Sequence, residues 1–334
     1  MNVHEQRYHS LRRSIDARLR SLANVESAKE ANEACRYVLR AGGKRIRGVL
    51  TLLACEAVGG SVRDARSAAA AIEILHNFTL VHDDVMDNAA SRRGKPTVQT
   101  RWNVNTAILS GDILLGLAYE QLLTSNSPKL RQMLDVFTDG FLTVSEGQAL
   151  DLEFERRTNV SLQEYFAMIE KKTGRLISTA LELGALAGGS TEDQRATLRR
   201  FGHYLGRAFQ LQDDLLDVVA KEKEFGKTIG GDIIEGKKTF LLLTALARAR
   251  GGDRRTLSRV LHRRNAPPLR SRRERDEEVR RVTAMYETTG ALREATKRIA
   301  TDTQRANDAL AKLPASQSRD TLLWLSAMLL RRSS

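Results

Sequence analysis

Three aspartates followed by two arginines occupy residues 83–93: Asp83, Asp84 and Asp87, then Arg92 and Arg93. If residues 72–88 are helical, Asp83 and Asp87 sit at i and i+4, stacked on one face a turn apart. Carboxylates so stacked repel each other unless a cation lies between them. The preceding apolar residues Ile72, Ile74, Leu75, Phe78, Leu80 and Val81 predict a helix buried up to its acidic end. Such an arrangement is costly, and a divalent metal accounts for it. One acidic motif alone reads equally well as a helix end in water, but the pattern recurs. Asp213, Asp214 and Asp217 follow a second apolar run that holds Phe209 and Gln210. Two such helices facing each other suit several Mg²⁺ ions, each octahedron completed by water and phosphate oxygens.

A second group of residues is cationic. Gly42 and Gly43 permit a tight or left-handed turn, and Lys44, Arg45 and Arg47 follow at once. Fixed cations beside a turn grip phosphate groups, although a basic turn by itself is commonly surface charge. The paired aspartate motifs, the string 42–47 and the string 92–97 occur in the order and spacing of the trans-isoprenyl diphosphate synthase (polyprenyl synthetase) family. The chain resembles that family from about residue 30 to its C-terminus.

The resemblance implies an all-α isoprenoid synthase fold, about ten or more helices around a deep central cavity, as one domain over residues 1–334 and as a homodimer. It also implies metal ligation by Asp83, Asp87 and Asp213, with about three Mg²⁺ ions per site, and a catalytic part for Asp84. Lys44, Arg47, His76 and Arg93 match positions that hold isopentenyl diphosphate. Arg92, Lys172, Thr173, Gln210, Lys227 and Lys237 match positions near the allylic diphosphate, and Asp232 matches an acidic position in the same loop. Because Lys171 precedes Lys172, the register of that pair stays open. Gln148 and Asp151 are expected to face the cavity, and Arg331 and Arg332 are candidates for the isopentenyl site. Where the family usually has proline, Gly48 stands, and little consequence is expected.

The chemistry implied is ionisation of an allylic diphosphate, attack by the double bond of isopentenyl diphosphate, and loss of a proton. Water must be kept out, since it would quench the cation. Phe78 and Thr79 lie five and four residues before Asp83, roughly 6–7.5 Å deeper along a helix. A growing tail directed that way meets the Phe78 ring. One aromatic residue there and no insertion in the motif resembles geranylgeranyl diphosphate synthases, although Phe78 also reads as plain core. Farnesyl or longer products remain open, as do a terpene cyclase and a non-catalytic partner subunit. The string 42–47 with Arg92 and Arg93 argues against the cyclase, and two whole acidic motifs argue against the subunit.

Helices must position all of these groups. Apolar residues at helical spacing predict helices over 5–22, 31–39, 49–57, 106–123, 130–150, 164–188, 241–250, 279–313 and 321–331. Residues 263–281, with Pro267 and Pro268, read as an exposed, charge-rich connection. His82, beside the aspartates, is expected to be a hydrogen-bonded structural residue. The Gly-rich basic stretch 224–239 is not a P-loop: it lacks GxxxxGK[ST] and follows a helix. It reads as a lid supplying cations.

The chain has 334 residues, 41% of them hydrophobic, enough for a large core. Its net charge of +13 comes without a nucleic-acid-binding motif or interleaved aromatics, which points to anionic small substrates rather than nucleic acid. Two cysteines are too few for a disulfide framework and fit a cytoplasmic enzyme. No window approaches the roughly 18 uninterrupted apolar residues of a membrane span.

Overall fold

The structure is a computed structural model describing residues 2–22, 28–220, 230–263 and 271–330. The fold is all-α, as expected. The helices are α1 (Val3–Leu22), α2 (Lys29–Arg40), α3 (Ile46–Ala57), α4 (Arg66–Met86), α5 (Val98–Arg101), α6 (Val104–Leu123), α7 (Leu130–Arg156), α8 (Leu162–Ile169), α9 (Arg175–Ala187) and α10 (Glu192–Val219). They continue as α11 (Gly231–Glu235), α12 (Phe240–Arg248), α13 (Gly251–Leu261), α14 (Arg272–Thr288), α15 (Ala291–Leu310) and α16 (Gln317–Leu330). Strand structure among the described residues is one short antiparallel hairpin, β1 (Ser91–Arg92) and β2 (Lys95–Pro96). No described helix is long and apolar enough to cross a membrane.

The chain divides into two compact units. One comprises Met1–Leu142, Leu176–Gly202 and Ala309–Leu325; the other comprises Thr143–Arg175, His203–Asp308 and Ser326–Ser334. In the first, Leu50, Leu53, Ile72, Ile74 and Leu75 are fully buried. Helix α4 packs most extensively on α6, and small residues occur on both. Ala68 to Ala71 lie on one, and Ser110 and Gly111 on the other. A Cβ on Gly111 would fall 2.1 Å from His82 Nε2, so the glycine makes room for that ring. His82 pairs with the Ile108 carbonyl at 3.1 Å, the structural role expected of it. The core of the second unit gathers Tyr165, Met168, Leu211, Phe240, Val282 and Tyr286.

Three local expectations need correction. Residues 162–187 are not one regular helix, because Glu170–Gly174 form a π turn between α8 and α9. The charge-rich connection is shorter than expected, since α14 begins at Arg272, where the Ser271 side chain accepts the Glu274 N–H and caps the helix. Nor is the run 279–313 continuous. Gly290, with φ of 73°, separates α14 from α15, since a left-handed residue ends a helix.

Gly111→Ala should therefore push the His82 ring off α6 and destabilise the first unit by about 1–3 kcal/mol. A thermal melt with the transition unchanged would show that the two helices have slack there.

Candidate active site

The first acidic motif closes α4. Asp87 caps the helix, and its N–H still donates to the Asp83 carbonyl at 2.8 Å, so the two residues keep their i, i+4 relation. Asn88 then turns left-handed, with φ of 51°, and the chain leaves the helix. Asp83 is half-buried and Asp87 exposed, whereas Asp84 is buried. Arg92 Nε donates to Asp84 Oδ1 at 2.7 Å. Burial raises the Asp84 pKa, and the Arg92 guanidinium opposes that shift. Asp84 is thus a partner for Arg92, and its two neighbours lie nearer to solvent.

The hairpin that delivers Arg92 turns on Arg93 and Gly94, both with positive φ (53° and 72°), the left-handed geometry of the tightest hairpins. Arg93 reaches back to the glycine turn, where Nη1 donates to the Gly42 carbonyl at 2.8 Å. A Cβ on Gly43 would meet that same nitrogen at 2.7 Å, which gives the glycine a steric reason. Of the three cations following the turn, Arg45 points inward. Its Nε donates to Asp16 at 2.8 Å and its Nη2 to the Leu39 carbonyl at 2.8 Å. Lys44 is exposed, and the Arg47 Nε is buried with no hydrogen-bond partner among the described residues.

Gly48 fits where a larger residue would collide, since a Cβ there would fall 2.8 Å from Ile15 Cδ1. Its N–H donates to the buried Glu73 carboxylate at 2.9 Å, a bond that proline cannot make. Beside this cluster sits His76. Burial, and then the charges of Arg47, Arg93, Arg92 and Arg45, hold its pKa well below the ordinary value, so the ring is neutral. The group offers guanidinium and ammonium charge and a neutral imidazole to an anion.

Deeper on α4, Phe78 is buried. Its ring meets His82 at 4.7 Å and Phe141 of α7 at 5.7 Å between centroids, both edge-on. Phe141 was invisible to sequence reasoning because its partner is 63 positions away in the chain (141 less 78). Thr79 turns its hydroxyl to the His76 carbonyl at 2.9 Å.

The second acidic motif, on α10, repeats the division. Asp213 is half-exposed and Asp214 buried. Asp214 accepts hydrogen bonds from the Tyr165 hydroxyl at 2.6 Å and from Gln210 Nε2 at 2.9 Å. Burial, and then the Asp232 charge, push its pKa up to about 7. Asp217 is also turned inward. Its carboxylate accepts the Asp232 N–H at 3.0 Å and its carbonyl the Gly230 N–H at 2.7 Å, which fixes the start of α11. Tyr165 escaped sequence reasoning; its one signal was that a buried phenol needs an acceptor.

The π turn sends the two lysines in different directions. Lys171 pairs with Glu146 towards solvent. Lys172 Nζ donates to Asp151 at 2.6 Å and lines a cavity of about 50 Å³ with Asp151, Tyr165, Gln210, Asp214 and Lys237. The Thr173 hydroxyl donates to Gln210 Oε1 at 2.8 Å. Lys237 lies 3.6 Å from Asp232, whose charge raises its pKa. Lys238 points inward to the Glu155 carbonyl at 3.1 Å. Lys227, Arg331 and Arg332 lie outside the described residues.

Among the described residues, no three His, Cys, Asp or Glu side chains converge as a ready-made metal cage. The acidic residues nearer to solvent, Asp83, Asp87 and Asp213, supply hard oxygen donors of the kind Mg²⁺ takes. A larger cavity of about 670 Å³, lined by Arg18, Arg63, Arg66 and Ser125 among others, contains none of the acidic-motif residues.

Comparison with known proteins places the chain in a family. The sequence profile of the polyprenyl synthetase family matches residues 28–274. A geranylgeranyl diphosphate synthase of Methanosarcina mazei is 42% identical over 233 residues, covering 69% of this chain and 72% of that protein. The crystal structure of geranylgeranyl pyrophosphate synthetase from Pyrococcus horikoshii superposes with a TM-score of 0.92 at 34% identity, over 99% of this chain and 100% of that one. A polyprenyl synthase from Caulobacter crescentus, solved with calcium and isoprenyl diphosphate, gives a TM-score of 0.83 at 31% identity over 98% and 96% of the two chains.

The His76 geometry has a pH consequence. Its folded pKa lies below the free value of 6.5, so below that pH the unfolded chain binds a proton that the folded chain refuses. The corresponding stability is present above about pH 6.5 and lost as the pH falls. Urea unfolding at pH 7.5 and pH 5 should show a smaller loss for His76→Gln than for the unaltered protein. Equal losses would show that the ring accepts the proton when folded.

Proposed function

The chain belongs to the polyprenyl synthetase family, and we propose that it is a chain-elongating prenyltransferase. It joins isopentenyl diphosphate to an allylic diphosphate (dimethylallyl, geranyl or farnesyl), head to tail and trans, with geranylgeranyl diphosphate as product. One observation supports the site assignment above others. In each acidic motif the middle aspartate is tied to protein partners, Asp84 to Arg92 and Asp214 to Tyr165 and Gln210. The first aspartate of each, Asp83 or Asp213, stays half-exposed.

Asp83, Asp87 and Asp213 are the Mg²⁺ ligands in this reading. The bound metal supplies Lewis acidity towards the leaving pyrophosphate. Arg92, Lys172, Lys227 and Lys237 stabilise the charge that develops as the allylic C–O bond breaks, and Thr173 and Gln210, hydrogen-bonded to each other, help to bind the allylic diphosphate. Lys44, Arg47, Arg93 and neutral His76 hold isopentenyl diphosphate so that its double bond attacks the allylic carbon. A new C–C bond forms, and the released pyrophosphate takes the proton. Phe78, with Thr79 beside it, sets the floor for the growing tail, and the Phe141 ring adds a second wall.

The whole chain acts as one synthase domain, which the family match across both compact units supports. A homodimer is part of the proposal as well. Helix α6 leaves Val104, Ile108, Leu109 and Leu123 between 41% and 57% exposed, more apolar surface than a monomer needs in one place. The two cysteines, both buried and free, are compatible with a cytoplasmic location.

Incubation with Mg²⁺, labelled isopentenyl diphosphate and each allylic primer should yield a twenty-carbon diphosphate. Chelation should stop turnover and Mg²⁺ restore it. No elongation from any primer would favour a cyclase or a partner subunit instead. Asp83→Ala and Asp213→Ala should each cut turnover by about 10²-fold or more with the circular dichroism unchanged; normal activity in either would remove it from the metal site. Phe78→Ala and Phe141→Ala should lengthen the product, and an unchanged product from both would place the floor elsewhere.

A further inference from the structure

The π turn at Glu170–Gly174 decides where Lys172 and Thr173 point. It adds one residue to an otherwise α-helical run, so its loss would rotate those side chains by about 100° relative to α8. Wide turns do not form without local support, and support comes from both sides. A Cβ on Gly147 of α7 would fall 2.3 Å from the Lys172 backbone nitrogen, and one on Gly206 of α10 would fall 2.4 Å from Gly174 Cα. Two backbones thus approach the turn as closely as glycine allows.

Side chains grip it as well. Arg207 and Gln210 lie one turn apart on one face of α10. Arg207 Nη1 donates to Glu170, the first residue of the turn, at 3.0 Å, and Gln210 accepts from Thr173, its fourth, at 2.8 Å. Arg207 is itself anchored. Its Nε lies 3.2 Å from Asp302 of α15, a fully buried carboxylate that Arg298 and Arg305 also approach, at 3.7 and 3.8 Å. The Arg207 and Arg298 guanidiniums both stack on Phe166 of α8, at 4.7 and 4.8 Å from the ring centroid. The helix entering the turn is therefore held by the same cation that holds the turn's first residue.

We propose that Arg207, anchored by Asp302, is a positioning residue that fixes the π turn and so aims Lys172 at the allylic diphosphate. This rests on the reading of Lys172 given above. A lysine at position 207 is expected not to substitute, because a point-like ammonium cannot place charge beside both Glu170 and Asp302 as the extended guanidinium does.

The test compares Arg207→Met, Arg207→Lys, Glu170→Gln and Lys172→Ala, singly and with each of the first three combined with Lys172→Ala. Steady-state kinetics would be measured for both substrates, alongside a thermal melt. Each of the first three should lower kcat/KM for the allylic diphosphate by roughly 10- to 100-fold. KM for isopentenyl diphosphate should stay unchanged, and nothing further should be lost in the Lys172→Ala background. Losses that multiply with that of Lys172→Ala, or normal kinetics in Glu170→Gln, would overturn the proposal. Glu170→Gln removes charge from a side chain only partly buried, so it decides the question even if the Arg207 variants fail to fold. If Lys172→Ala alone has no effect, the role of Lys172 fails, an outcome distinct from either.

Discussion

The ion pair between Asp84 and Arg92, at 2.7 Å, ties the acidic end of α4 to the hairpin that follows it. Truncating Arg92, itself partly exposed, would leave a buried carboxylate without its guanidinium, at a cost of about 1–3 kcal/mol. The geometry passes onward from that contact. The hairpin turn directs Arg93 onto the Gly42 carbonyl, and Gly43 leaves the space this needs. Beyond the turn, Arg45 pins the start of α3 to Asp16. Glu73 then receives the Gly48 N–H from the same helix. Arg92, Arg93 and Arg45 are held by polar contacts within one unit, whereas the Arg47 Nε is buried without a hydrogen-bond partner among the described residues.

The second unit uses a different device for the same purpose. Its middle aspartate has no arginine within ion-pair distance among the described residues and is held instead by a phenol and an amide. Burial without a cation in contact favours the protonated form, so Asp214 is raised to about 7. The Asp84 carboxylate, by contrast, has a guanidinium in contact. Two motifs with the same spacing of aspartates therefore differ in electrostatic character, which comes from the side chains that surround them. A net charge of +13 over the whole chain biases both clusters towards anions.

Much of the chemistry was legible in the sequence because it is local. Spacing alone puts Asp83 and Asp87 on one helical face, since i and i+4 coincide in any α-helix. Glycines before a basic string announce a turn, and alternation of apolar residues at 3.6 spacing locates most helices within a few positions. The π turn was not legible, because one extra residue in a helical run leaves the apolar pattern nearly intact. Nor did the charge-rich stretch reveal the start of α14, where few residues are buried.

What the sequence by itself determined is the set of reactive groups, their order, and their local stacking along each helix. Only tertiary structure decided which of those groups turn inward. It buried Asp84, Asp214 and Arg45 against partners outside their own helical turn, and turned Lys171 towards Glu146 and Lys172 towards Asp151. It kept His76 neutral beside arginines from two other segments, and set Phe141 against Phe78. The physical reason is common to all. Whether a charge is paired, and what a ring touches, depends on atoms that helical periodicity does not bring together, so only the packed fold can specify it.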